Sequence, residues 1–182
     1  MLLMAVFAPW AAQAQEIVTI GNVESTSTSY HVPYNSLDNY SFVEQLYSAE
    51  EIADAGGAAG SISTIRFYHK PSSTPNIDLT NHIVVYMMNV DKTSFSAATD
   101  YVQVAASDIV FDGDWTIPTT TGWIDVELDT PFQYDGTSDL MVAVHETTSG
   151  YSSRYFQTTT TTGAVCTFYH DTYNPDPYNL DS

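Results

Sequence analysis

The feature that most restricts how this chain folds is the near-absence of a helical repeat. Apolar residues instead recur at every second position in short runs, and Gly, Pro, Asn and Asp break the runs. The clearest run is Trp123-Ile124-Asp125-Val126-Glu127-Leu128. Ile124, Val126 and Leu128 share the face expected to turn inward, while Asp125 and Glu127 face water. In Leu140–His145, Leu140, Val142 and Val144 form one face and a smaller, mixed set forms the other. Ile83-Val84-Val85-Tyr86-Met87-Met88 is apolar on both faces, which predicts a central strand covered on both sides; period alone does not separate this from a buried helix. The one helical candidate is Ser48–Ala53. There Ser48 and Glu51 stand at capping-box spacing, and Gly56-Gly57 ends the segment after one or two turns.

Read this way, strands are expected at Glu16–Asn22, Ser29–Tyr34, Tyr40–Tyr47, Ser61–Lys70, His82–Val90, Ser107–Phe111, Trp123–Leu128, Asp139–Thr147, Ser153–Thr158 and Ala164–His170. Lys70–Asn76 reads as a loop, and Asp112-Gly113-Asp114 and Asp135-Gly136 read as turns. Thr158–Thr162 has β propensity without an apolar face, as an exposed hairpin end or edge would. Short strands with no interleaved helices predict an all-β fold, a two-sheet antiparallel β-sandwich of jelly-roll-like type, in one domain over about residues 16–177. Two prolines in Tyr173-Asn174-Pro175-Asp176-Pro177-Tyr178 favour an extended exit, with residues 178–182 starting a linker or tail towards further domains.

Leu2–Ala12 is a short apolar run ending in Ala12-Gln13-Ala14. It predicts a signal peptide over residues 1–14, with Gln15 or Glu16 as the new N-terminus. The run is shorter than the ~20 residues that span a bilayer, so no membrane insertion is expected. The expected location is extracellular or at the cell surface. Charge narrows the partners. Four Lys and Arg stand against 22 Asp and Glu, a formal charge of −18, which excludes a basic patch for nucleic acid. A hydrophobic fraction of 43% and an aromatic fraction of 13% are enough for a core and argue against disorder. Cys166 is alone, so no intrachain disulfide framework exists.

Val18-Thr19-Ile20-Gly21, Tyr30-His31-Val32-Pro33-Tyr34, Tyr40–Tyr47, Ser61–Tyr68, Leu128–Gly136 and Leu140–Val144 together resemble a recurrent secreted module of Bacteroidota. The resemblance spans Glu16 to about Pro177. Modules of this kind are jelly-roll β-sandwiches of cell-surface adhesins, secreted peptidases and other multidomain proteins of the type IX secretion route. The resemblance implies a non-catalytic adhesion or glycan-binding role, with a glycan or a surface or matrix protein as partner. It implies no particular ligand residue. The chain's Ser182 end brings no sorting signal of that route into view.

The chemistry-bearing residues point the same way. No G-x-S-x-G, P-loop, G-x-G-x-x-G or H-E-x-x-H is present. Cys166 with His31, His69, His82, His145 or His170 would be a nucleophile and base only if folding brought them together; a small apolar strand residue is the ordinary reading. Acids are abundant enough to face each other across a cleft, but abundance predicts no pair. Asp112 and Asp114 flank a turn glycine and are candidate ligands for a structural calcium, against an ordinary turn. Tyr and Trp rings stack on the C–H faces of sugars while their polar tips bond hydroxyls. Trp115, Tyr30, Tyr34, Tyr151 and Tyr155, with Tyr173, are the candidate ligand-binding aromatics; Trp115 is expected to be exposed after its acidic turn and Trp123 to pack. The leading expectation is an adhesion module that binds glycans or host or matrix partners and catalyses nothing. The alternatives are a structural or ancillary domain of a larger secreted enzyme and, behind it, a stand-alone hydrolase.

Overall fold

The computed structural model describes residues 16–22, 24–71 and 77–180. The predicted signal peptide at residues 1–14, and Ser72–Asn76 of the predicted loop, lie outside these residues. Nine strands form two antiparallel sheets among the described residues. They are β1 (Thr28–Ser29), β2 (Tyr40–Tyr47), β3 (Gly60–His69), β4 (Leu79–Val90), β5 (Ile109–Ile117), β6 (Gly122–Tyr134), β7 (Asp139–Glu146), β8 (Phe156–Gln157) and β9 (Val165–His170). One sheet has the order β1-β8-β3-β6 and the other β5-β4-β7-β2-β9. With β9 set aside as an added edge, this order of eight strands is that of a jelly roll, in which the chain passes repeatedly from one sheet to the other. No helix among the described residues is long and apolar enough to cross a membrane.

The alternation in the sequence places the core. Ile124, Val126 and Leu128 of β6 meet Ile83, Val85 and Met87 of β4 and Leu140, Val142 and Val144 of β7 in one buried cluster between the sheets. The opposite side chains of β4, Val84 and Tyr86, are also buried. They join Phe42, Leu46, Met141, Ala143 and Cys166 in a second cluster on the outer face of the five-stranded sheet. Phe95, Val104 and Leu180 reach this cluster from outside the strands. The two-faced apolar run of β4 is therefore a strand covered on both sides, as predicted. The one α-helix, Ala49–Asp54, carries the predicted capping box: Ser48 Oγ accepts from Glu51 N–H at 3.1 Å, and Glu51 Oε2 accepts from Ser48 N–H at 3.1 Å.

Four expectations change. Among the described residues Glu16–Asn22 pairs with no strand: the Asn22 N–H goes to Thr159 Oγ1 at 3.0 Å, and Ile17 is exposed while Ile20 packs on the core. A strand needs a neighbouring backbone, which a period cannot reveal. Ser29–Tyr34 and Ser153–Thr158 shrink to the two-residue strands β1 and β8. Asp112-Gly113-Asp114 is no turn. It lies inside β5, opposite Val84, Ile83 and His82 of β4, because a twelve-residue partner strand continues the ladder through the glycine. The tail does not leave the domain at residue 177. Pro175 and Pro177 are buried, Tyr178 meets Tyr86 edge-on at 6.4 Å, and Asn174 Oδ1 lies 2.6 Å from His145 Nε2.

Candidate functional site

The four-stranded sheet is incomplete on one side. β8 pairs with β3 only at His69, and β1 adds two more pairs to β8. From Gly60 to Tyr68 the edge of β3 away from β6 has no strand partner among the described residues. Ile20–Asn22 and Thr158–Thr161 run along this side without completing the sheet, and a groove of about 440 Å³ lies between them and the strands. It is lined by Leu46, Phe67 and Phe156, by the polar chain of Thr158–Thr161, and by the outward Arg66, Tyr68 and Trp123 of β3 and β6.

Those outward side chains form the platform at the groove. Register sets Tyr68 opposite Trp123 and Arg66 opposite Asp125. Tyr68 and Trp123 meet edge-to-face, with ring centroids 5.3 Å apart and planes at 81°. Trp123 stays 43% exposed, far more than a core indole. Asp125 accepts from Arg66 Nε and Nη2, each at 2.9 Å, and the guanidinium carbon lies 5.8 Å from the Trp123 ring centre. Gln157 on β8, His31 and Glu51 bring further polar groups to the groove. An exposed indole with flanking amide, carboxylate and guanidinium groups suits a ligand that has both apolar faces and hydroxyls.

The aromatics singled out in the sequence do not gather here. Trp115 is only 4% exposed, not the exposed residue expected. It stacks on Phe156 at 5.9 Å and 18°, meets Tyr34 and Phe67 edge-on, and donates from Nε1 to the Asp125 carbonyl at 3.0 Å. Tyr34 is buried beside it, and burial holds its phenol well above the ordinary range. Both are core residues, so neither offers a ring to a ligand. Tyr30 and Tyr155 form an edge-to-face pair at 5.6 Å, with Tyr30 also on His31 at 4.1 Å. Tyr151 is exposed, and its hydroxyl donates to Asp171 Oδ1 at 3.3 Å. Tyr173 lies on the His170 ring at 3.8 Å.

The site residue missed in the sequence is Trp123, and the signal was present. Trp123 is in phase with Asp125 and Glu127, the residues read as facing water, so strict alternation puts its ring outside. The same rule puts Trp115 on the face of Ile117, inside, once β5 is recognised as a strand. Tyr68 and Arg66 follow from the β3–β6 register, which no single strand contains.

Asp112 and Asp114 share the exposed face of β5; Asp112 Oδ1 lies 3.4 Å from His82 Nε2. Among the described residues no three His, Cys, Asp or Glu side chains group as they would around a metal ion. The backbone of Asp112 and Asp114 is part of the β4–β5 ladder rather than a turn. Cys166 is buried; burial, with Glu44 beside it, pushes its thiol up to about 11, which suppresses the thiolate a nucleophile needs. No family model, curated protein or solved structure matches this chain.

Proposed function

We propose that this chain is a non-catalytic, secreted or cell-surface adhesion module that holds a glycan in the groove, against the Tyr68–Trp123 platform. The observation that carries the reading is an indole left 43% exposed on a strand whose inward neighbours are fully used in the core. What sets this indole apart from other exposed apolar side chains is its pairing with Tyr68 at a groove, which gives a ligand a continuous apolar surface to cover. A pyranose ring covers it well, through C–H contacts on its face and hydroxyl bonds to Gln157 and the threonines that line the groove. The resemblance of Tyr40–Tyr47, Ser61–Tyr68 and Leu128–Gly136 to secreted Bacteroidota modules supports the same class. The test is a glycan-array and polysaccharide-retention screen of the purified protein, run with calcium and with chelator. A specific hit that falls about tenfold in Trp123→Ala and stays unchanged in Tyr151→Ala supports the reading. A hit indifferent to Trp123, or binding only to matrix proteins, overturns the glycan assignment. A hit lost only in chelator puts a calcium ion in the site.

A further inference from the structure

We infer that the Arg66–Asp125 pair is a charge gate that confines the groove to neutral glycans and turns acidic ones away. The inference rests on the glycan reading and names the class of glycan. Its first support is the placement of the chain's cations. Four Lys and Arg face 22 Asp and Glu, and each of the four is committed. Arg154 is buried, with Nη2 on the Ile77 carbonyl at 2.8 Å. Lys92 bonds Asp100 at 2.6 Å, and Lys70 Nζ bonds the Ser25 carbonyl at 3.1 Å. Arg66 alone of the four lines the groove.

The second support is how Arg66 is held. A carboxylate ligand is recognised best by two parallel N–H groups on one edge of a guanidinium. In Arg66 one of its two such edges, Nε with Nη2, already faces both oxygens of Asp125 at 2.9 Å. Arg66 and Asp125 together are net neutral, so an incoming uronate or sulfate meets a paired guanidinium and not a bare one. Glu51 at the groove and Glu127 two residues along β6 leave the local field negative. The pair is well exposed, at 36% and 45%, and such pairs add little to fold stability. Its consequence is therefore local. Asp125 itself lies beside the groove lining rather than in it, and it acts there through the guanidinium it holds.

The test compares wild type, Asp125→Asn and the double variant Arg66→Gln/Asp125→Asn on immobilised neutral xyloglucan and on polygalacturonate, at low and at raised salt. Melting curves confirm that each variant is folded. Asp125→Asn bares the guanidinium, so its retention on polygalacturonate is expected to rise about tenfold at low salt and to fall as salt is added. The double variant is expected to lose that gain. Wild-type binding to polygalacturonate as strong as to the neutral polymer overturns the inference. So does an Asp125→Asn variant with no gain, or a gain that survives in the double variant. If wild type binds no neutral glycan while the Asp125→Asn gain is intact, the gate stands and the adhesion reading falls.

Discussion

The two sheets of this jelly roll are built for different ends. The five-stranded sheet is covered on both faces, by the opposing sheet on one and by Phe95, Val104 and Leu180 on the other. It buries even carboxylates: Glu44 on β2 and Glu146 on β7 are almost fully enclosed. Glu44 Oε2 accepts from the Val102 N–H at 2.9 Å and ties the segment after β4 to the sheet. The four-stranded sheet is covered on its inner face, ends in two-residue strands, and presents Arg66, Tyr68, Trp123 and Asp125 outward. The doubly covered sheet buries side chains on both faces, whereas the truncated one keeps an exposed outer face and, among the described residues, an unpaired edge along β3. Two tryptophans condense the contrast. Trp115 belongs to the stack between the sheets, and Trp123 stands outside it.

The sharpest way to break this contrast is to truncate each tryptophan. Trp115→Ala removes a ring that touches Phe156, Tyr34 and Phe67 and leaves a cavity, so unfolding free energy is expected to fall by about 3–5 kcal/mol. Urea denaturation measures it; a loss under about 1 kcal/mol would mean that the stack is not part of the core.

The buried carboxyls come next. Burial pushes Glu44 up to about 7 and Glu146 up to about 8, from an ordinary 4.5. The folded state then keeps protons that the unfolded state has released. Their stability is fully present below pH 4.5 and is lost as pH rises to about 7 for Glu44 and about 8 for Glu146. The expected loss is on the order of 3 kcal/mol for Glu44 and somewhat more for Glu146. Asp135 acts in the opposite sense. Hydrogen bonds from the N–H and hydroxyl of Ser138 hold it at about 2, so stability falls again as pH drops below 3.8. Melting temperature should therefore peak between about pH 4 and 5. Glu44→Gln should flatten the part of the decline up to pH 7, whereas a decline unchanged in Glu44→Gln and Glu146→Gln would trace to the general charge of −18 instead.

Trp123→Ala is expected to cost under about 1 kcal/mol of stability, because the indole is already half in water. A loss as large as that of Trp115→Ala would make the platform structural and erase the contrast. The smallest expected effect is at Asp112. Asp112→Asn on the exposed face of β5 should shift stability by no more than about 0.5 kcal/mol, and chelator should leave the melting curve where it was. A chelator-dependent drop in melting temperature would place calcium at Asp112 and Asp114.

Much of this was legible in the chain itself. Period-2 alternation is local, so it located β2, β3, β4, β7 and β9 within a few residues, found the start of β6 but not its continuation from Asp129 to Tyr134, and identified the inward sets Ile124, Val126, Leu128 and Leu140, Val142, Val144. The Ser48–Glu51 capping box is local too, and the helix follows it. Glycine misled where a partner strand outweighed it: Gly113 reads as a turn but is held extended against Ile83. What only the tertiary structure decided is pairing and cover. Whether Glu16–Asn22 finds a neighbour, how far β8 runs along β3, and whether the proline-bearing tail returns to Tyr86 depend on contacts between residues distant in the chain. So does the site. Alternation says that Trp123 and Asp125 share a face, but cross-strand register brings Tyr68 and Arg66 beside them, and the shortness of β1 and β8 leaves the groove open. Side-chain direction is set by the residue's own backbone; burial and partnership are set by what the rest of the chain lays against it.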